Sequence, residues 1–266
     1  MGAMPTIERE GATLYYEVQG SGPAVVFVHG SGGNALSWWQ QIPHFAARHR
    51  VLAFDHRGFG RSTCPPEALD PRHFASDLAA ILDDAGIARA ALVCQSMGGW
   101  TGLPFALAWP DRTAALVLAG TPGGVVTPRI QRDSSEVPQR AAERGFLGMA
   151  LARSFIERDP ARAFLYDRIG SLNPPATLGA VLPKLVALRV DPAQLAAFRI
   201  PTRVIVGTED SFFSVEGLRE VAAAIPEARL HVLPGAGHSA YFEEPDVFNG
   251  LVESFFEEIG AWASSS

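Results

Sequence analysis

Six short runs of apolar, mostly β-branched residues recur along the chain: Ala24-Val25-Val26-Phe27-Val28, Val51-Leu52-Ala53-Phe54, Ala91-Leu92-Val93, Ala114 to Leu118, Arg203-Val204-Ile205-Val206 and Leu230-His231-Val232-Leu233. They are continuous rather than alternating, which is the pattern of strands covered on both faces of a parallel sheet. Helical stretches separate them. The clearest is Pro71 to Ala85, where Asp70 offers an N-cap, Pro71 fits the first helical position and Gly86 supplies the stop. Phe74, Leu78, Ile81 and Leu82 fall on one face of that helix. Strands alternating with helices build βαβ units, so the expected fold class is α/β: an open, mostly parallel sheet with helices on both sides. Thr13 to Gln19 alternates apolar and polar residues and is expected at an antiparallel edge. From Thr127 to Phe198 the β-branched runs stop, helical stretches such as Ala141 to Phe155 take over, and Asn173-Pro174-Pro175 punctuates the middle. The expected organisation is therefore an α/β core over 5–126, a helical insertion over 127–198 and a second core segment over 199–263.

The chain's 266 residues, 47% hydrophobic and 19% charged, can bury a sizeable core, which excludes a disordered or fibrous chain. A net charge of −6 argues against nucleic acid as a partner, because phosphate-backbone binding needs a basic face. The insertion carries +3 against −9 for the rest of the chain. That hints at an anionic substrate, although ordinary solvated helix faces are the better account of it. Cys64 and Cys94 match no CxxC or zinc spacing, so neither a disulfide framework nor a metal site is expected, and the thiols read as reduced. Met1 to Pro5 lacks a charged region followed by an apolar run, so a cytoplasmic location is expected. Ala90 to Pro110 is uncharged over a membrane-spanning length, but Gln95, Ser96, Gly98, Gly99 and Pro104 break it into a buried strand, a tight turn and a buried helix. No membrane association is expected.

The most informative stretch is Leu92-Val93-Cys94-Gln95-Ser96-Met97-Gly98-Gly99. A strand enters Ser96 and a helix leaves it, placing the serine on a sharp turn at the carboxyl end of a sheet strand, where open α/β sheets bind ligands. Small residues are needed two before and two after it, because the strand and helix backbones nearly touch there; Cys94 stands at the first of these positions. A serine hydroxyl is a poor nucleophile until a base takes its proton. His238, in Gly235-Ala236-Gly237-His238-Ser239 after the last strand, is the candidate base. His29, in His29-Gly30-Ser31-Gly32-Gly33, is better suited to shaping its loop. A third group must orient the imidazole, and Asp210 in Val206-Gly207-Thr208-Glu209-Asp210 is the candidate, with Glu209 its neighbour and competitor. Either carboxylate could instead serve a turn or cap the helix beginning near Val215. Backbone amides of Met97 and Ser31 are the candidate oxyanion donors.

With these motifs in this order, and with Asp55-His56-Arg57-Gly58-Phe59-Gly60-Arg61-Ser62 as a structural turn between them, the sequence resembles the α/β-hydrolase superfamily over nearly its whole length. The resemblance implies an eight-stranded, mostly parallel sheet, a helical cap between strands six and seven, and a Ser96-His238-Asp210 triad working without metal or organic cofactor on a small-molecule substrate. Relatives that open epoxides or remove halide carry Asp at the nucleophile position, so Ser96 disfavours those chemistries. Met97-Gly98-Gly99-Trp100-Thr101-Gly102-Leu103 further resembles enol-lactone hydrolases of aromatic-acid breakdown. The expected activity is hydrolysis of a small ester or lactone through an acyl-enzyme; the alternatives are carbon-carbon hydrolysis of ring-cleavage products, or a ligand receptor using the same pocket. Trp38, Trp100, Phe146 and Tyr166 are expected to line that pocket, with Met149, Leu151, Phe155 and Phe164 either shaping it or packing the cap against the body.

Overall fold

The computed structural model of the chain describes residues 5–260; the start of the chain and the expected domain end at 263 lie outside the described residues. Eight strands form one sheet: β1 (Thr6–Arg9), β2 (Ala12–Gln19), β3 (Ala24–Val28), β4 (Arg50–Phe54), β5 (Ala90–Gln95), β6 (Thr113–Ala119), β7 (Thr202–Gly207) and β8 (Arg229–Leu233). Their spatial order is β1-β2-β4-β3-β5-β6-β7-β8. The pairings β1–β2 and β2–β4 are antiparallel and all the others parallel. Every run read as a strand is one. The sequence reading missed β1, four half-exposed residues whose short polar pattern carries no apolar run.

Helices cover both faces. They are α1 (Gln41–Ala46), α2 (Phe74–Asp84), α3 (Gly99–Ala108), α4 (Pro128–Ala150), α5 (Arg153–Arg158), α6 (Pro160–Gly170), α7 (Thr177–Ala187), α8 (Pro192–Ala196), α9 (Val215–Ala224), α10 (Ala240–Glu243) and α11 (Pro245–Glu258). Although the strands are apolar throughout, their side chains still alternate between two cores. In β5, Ala90, Leu92 and Cys94 join Leu78, Leu103 and Leu218 on the side of α2, α3 and α9. Ala91 and Val93 join Phe45, Phe248 and Val252 on the side of α1 and α11.

Two expected helices differ in detail. The stretch beginning at Pro71 opens as a 3-10 turn over Pro71–His73, capped by Asp70 on the Arg72 amide, before α2 proper begins at Phe74. The expected helix from Ala141 to Phe155 is interrupted: α4 kinks at Gly145 (φ 66°, ψ 172°), and Leu151–Ala152 is extended before α5 starts. Helices α4 to α8 all lie between β6 and β7. Among the described residues, no helix is long and apolar enough to cross a membrane.

Candidate active site

The sheet's register brings five strand ends to one edge, since Val28 pairs with Cys94, Gln95 with Ala119, Ala119 with Ile205, and Gly207 with Leu233. The chain runs from β3 outward to β4 and then returns to place β5 on the other side of β3. β3 is therefore the switch point of the sheet, the place where open α/β sheets bind ligands.

Ser96 stands at the end of the neighbouring strand β5 with φ +49°, a left-handed conformation that costs a non-glycine residue about 1–3 kcal/mol. Its surroundings enforce it. Gly98 lies so close to the Val28 carbonyl that a Cβ there would overlap it, and a Cβ on Gly30 would come 2.9 Å from that of Ser96. Cys94 occupies its position because Gly102, one helical turn into α3, leaves room for its buried thiol. Met97 follows in the 3-10 turn Ser96–Gly98 that leads into α3, with its side chain buried among Phe59, Phe74, Val181 and Leu185.

The loop after β3 is held by a chain of imidazoles. His29 Nδ1 donates to the Gly30 carbonyl (2.8 Å), which leaves Nε2 to accept from the backbone amide of His56 and from His56 Nδ1, both at 3.0 Å. His56 Nε2 is then the acceptor for the Thr101 hydroxyl (2.7 Å). Burial lowers the pKa of both histidines and keeps them neutral, as this tautomer chain requires. Gly30 O also accepts from the Gly33 amide (3.0 Å), so the peptide that carries the Ser31 N–H is fixed in orientation. His29 thus shapes its loop, as read. Asp55 braces the same region, accepting from the amides of Ala35 (2.6 Å) and Arg61 (2.7 Å).

His238 and Asp210 meet directly: Nδ1 lies 3.1 Å from Oδ1 and 3.0 Å from Oδ2, and both side chains are buried. Nδ1 is therefore the nitrogen that donates to the carboxylate. Asp210 Oδ1 also accepts from the amides of Phe212 (2.8 Å) and Phe213 (3.0 Å) and so builds its own turn. Glu209 is exposed, and Ser214 rather than either carboxylate caps α9. Sequence reasoning missed three neighbours of this pair. The Phe212 ring sits 4.4 Å and the Phe213 ring 6.2 Å from the imidazole, and Gly120 (φ +57°) leaves the room that the pair occupies at the end of β6. The Gly120 signal was present, as a glycine directly after an apolar strand.

The expected pocket residues separate. Trp38 lies elsewhere: it is fully buried, its ring 4.9 Å from Phe27 and 4.3 Å from Tyr241, because Asn34 caps a 3-10 turn that points the indole into the core. Tyr166 is also buried, packed on Phe242 (5.0 Å) with its hydroxyl 2.8 Å from Ser239 Oγ, next to His238 in sequence. Leu151 and Phe155 pack the insertion onto the body and Met149 is buried, whereas Phe164 faces solvent. Trp100 donates from its indole to the Leu188 carbonyl (3.3 Å) and lines a cavity of about 410 Å³ with Val125, Ile130 and Phe213. Phe146, 44% exposed, lies against Gly32 and lines a cavity of about 210 Å³ with Ser31, Phe59, Asn173 and Leu178. Asn173 ties the insertion to the body there, accepting from the Gly60 amide (2.9 Å) and donating to the Gly33 carbonyl (3.1 Å).

A sequence model described as the alpha/beta hydrolase family matches residues 25–251. The chain belongs to the alpha/beta hydrolase family. Among its relatives is the candidate carbamate hydrolase RutD of Variovorax paradoxus, 32% identical over 93% of this chain and 97% of that one. A thermophilic esterase from Thermogutta terrifontis superposes with a TM-score of 0.82 at 25% identity, covering 96% of this chain and 97% of the other. The enol-lactonase from Burkholderia xenovorans LB400 gives the same TM-score and identity over 95% and 100%.

Proposed function

We propose that this hydrolase cleaves a small carboxylic ester or lactone through an acyl-enzyme on Ser96. The observation that carries the reading is the buried His238–Asp210 pair on the same sheet edge as a serine held at positive φ. Ser96 Oγ attacks the carbonyl carbon while His238 Nε2 takes the hydroxyl proton, and Asp210 stabilises the imidazolium that forms. The amides of Met97 and Ser31 hold the oxyanion, each worth about 2.7–4 kcal/mol to the transition state. Collapse of the tetrahedral species expels the alcohol, which takes the proton back from His238. Water, activated by the same imidazole, then releases the acid and restores the serine.

The insertion serves as a cap in this reading, with its Phe146 and, from α3 of the body, Trp100 as contacts to substrate. A likeness to an esterase and to an enol-lactonase supports an activated carbonyl bearing an oxygen leaving group. The test is mass spectrometry of the digested enzyme, quenched during reaction with aryl esters, lactones, carbamates and vinylogous diketones, with released product measured in parallel. An acyl mass on the peptide containing Ser96 from an ester or lactone is expected. Product from diketones alone would move the assignment to carbon-carbon hydrolysis, and saturable binding without product would make the chain a receptor.

A further inference from the structure

Glu243, at the end of α10, is 1% exposed and has no part in the mechanism above. One of its oxygens, Oε2, accepts from two backbone amides: Gly237, immediately before His238 (3.0 Å), and Ala152, in the break between α4 and α5 (3.2 Å). On the other side of His238, the Ser239 amide donates to the Ala150 carbonyl (3.0 Å). The imidazole is thus bracketed by two residues whose amides are tied to the insertion, one directly and one through Glu243. The approach at Gly237 is so close that a Cβ there would meet the Leu151 carbonyl carbon at 2.9 Å and Glu243 Oε1 at 2.7 Å. Oε1 itself has no hydrogen-bond partner among the described residues. A carboxylate buried with half its acceptor capacity unused is a costly way to fill space. Its two bonds are therefore what the position provides.

We infer that Glu243 is a positioning residue that couples the helical insertion to the catalytic loop, holding His238 against Asp210 by sharing one oxygen between Gly237 and Ala152. The inference rests on the reading of His238 as the base. Glutamine at 243 keeps an acceptor for both amides, whereas leucine keeps the volume and removes it. Proline at 152 removes the insertion's donor and sets its Cδ where the amide hydrogen met Glu243 Oε2, so it breaks the tie from the insertion's side and pushes the carboxylate away. The backbone accepts it, because Ala152 has φ −61° and the preceding Leu151 is extended.

The experiment compares wild type, Glu243→Gln, Glu243→Leu and Ala152→Pro by steady-state kinetics and by the low-field proton resonance of the His238 Nδ1–H. Displacing a catalytic group by an ångström costs about 100-fold. Glu243→Leu and Ala152→Pro should lose about that factor in kcat with KM little changed, and should lose the resonance to exchange with water. Glu243→Gln should keep both. If leucine keeps the rate and the resonance, or glutamine fails as badly as leucine, the coupling does not exist. If Glu243→Leu does not fold, Ala152→Pro decides by the same two readouts. Wild-type turnover that survives Ser96→Ala, or no turnover at all, would defeat the serine reading, and the resonance alone would then decide the inference.

Discussion

Two bends in this chain are made at single residues of positive φ: Ser96 between β5 and α3, at +49°, and Gly145 within α4, at +66°. At Ser96 a non-glycine residue is forced into the left-handed region by packed backbone on either side, at Val28 and Gly30. At Gly145 nothing lies within 4 Å of where a Cβ would be, so the kink rests on the glycine's own freedom. The difference teaches where geometry is imposed. In the sheet it comes from neighbours, and it holds a strained residue at the position of the proposed nucleophile. In the insertion it comes from local sequence, and the contacts to the body, such as those of Asn173 and Glu243, decide where the segment sits.

The strongest break of that contrast falls on the sheet side. Asp210→Asn keeps the shape of the loop but disturbs the proton arrangement on His238, so kcat for an ester should fall by about 10⁴-fold, read by steady-state kinetics. Next comes the junction. Burial raises the Glu243 pKa from 4.5 to about 7, against two amide bonds that lower it and helped upward by the charges of Asp210 and Glu244. A carboxyl with a raised folded-state pKa binds more protons when folded, so its contribution to stability is lost as pH rises from about 4.5 through 7. The unfolding free energy of wild type relative to Glu243→Gln should therefore drop by about 3 kcal/mol across that window, as urea titrations at pH 4.5 and 8 would measure. A flat difference would mean that the carboxyl is solvated.

A smaller effect is expected within the elbow. Gly102→Ala drives a methyl into Cys94 Sγ and should cost about 1–3 kcal/mol, as overpacking does. Adding Cys94→Gly should recover most of the lost urea midpoint, whereas additive losses would show that the two positions do not share one space. A comparable effect belongs to the insertion. Gly145→Ala meets no neighbour, but it puts a Cβ on a residue at φ +66° and ψ 172°, which should cost about 1–3 kcal/mol and lower Tm. If the kink relaxes instead, Phe146 leaves Gly32 and KM should report it.

This contrast also explains how much was legible in the sequence. The strands, the elbow, and the His238 and Asp210 loops were readable because buried runs and glycine-rich turns leave local signatures, from Val25 to Gly237. The choice of Asp210 over Glu209 follows from which carboxylate faces the sheet edge, and the sequence pattern held only a preference for it. Trp38 misled because position along the chain does not say which way a 3-10 turn points an indole. Phe212, Asn173 and Glu243 were missed because their partners are 26, 113 and 91 residues away, at His238, Gly60 and Ala152. No local periodicity encodes such pairings.

The central claim is that Ser96 is an activated nucleophile. A time course of product release from a short-chain aryl ester, wild type against Ser96→Ala, tests it most directly. Sustained turnover in the wild type, reduced by about 10⁴-fold or more in a variant with unchanged Tm, is the expected result. Equal rates in the two proteins would contradict it, because the reaction would then proceed without a bond to the serine.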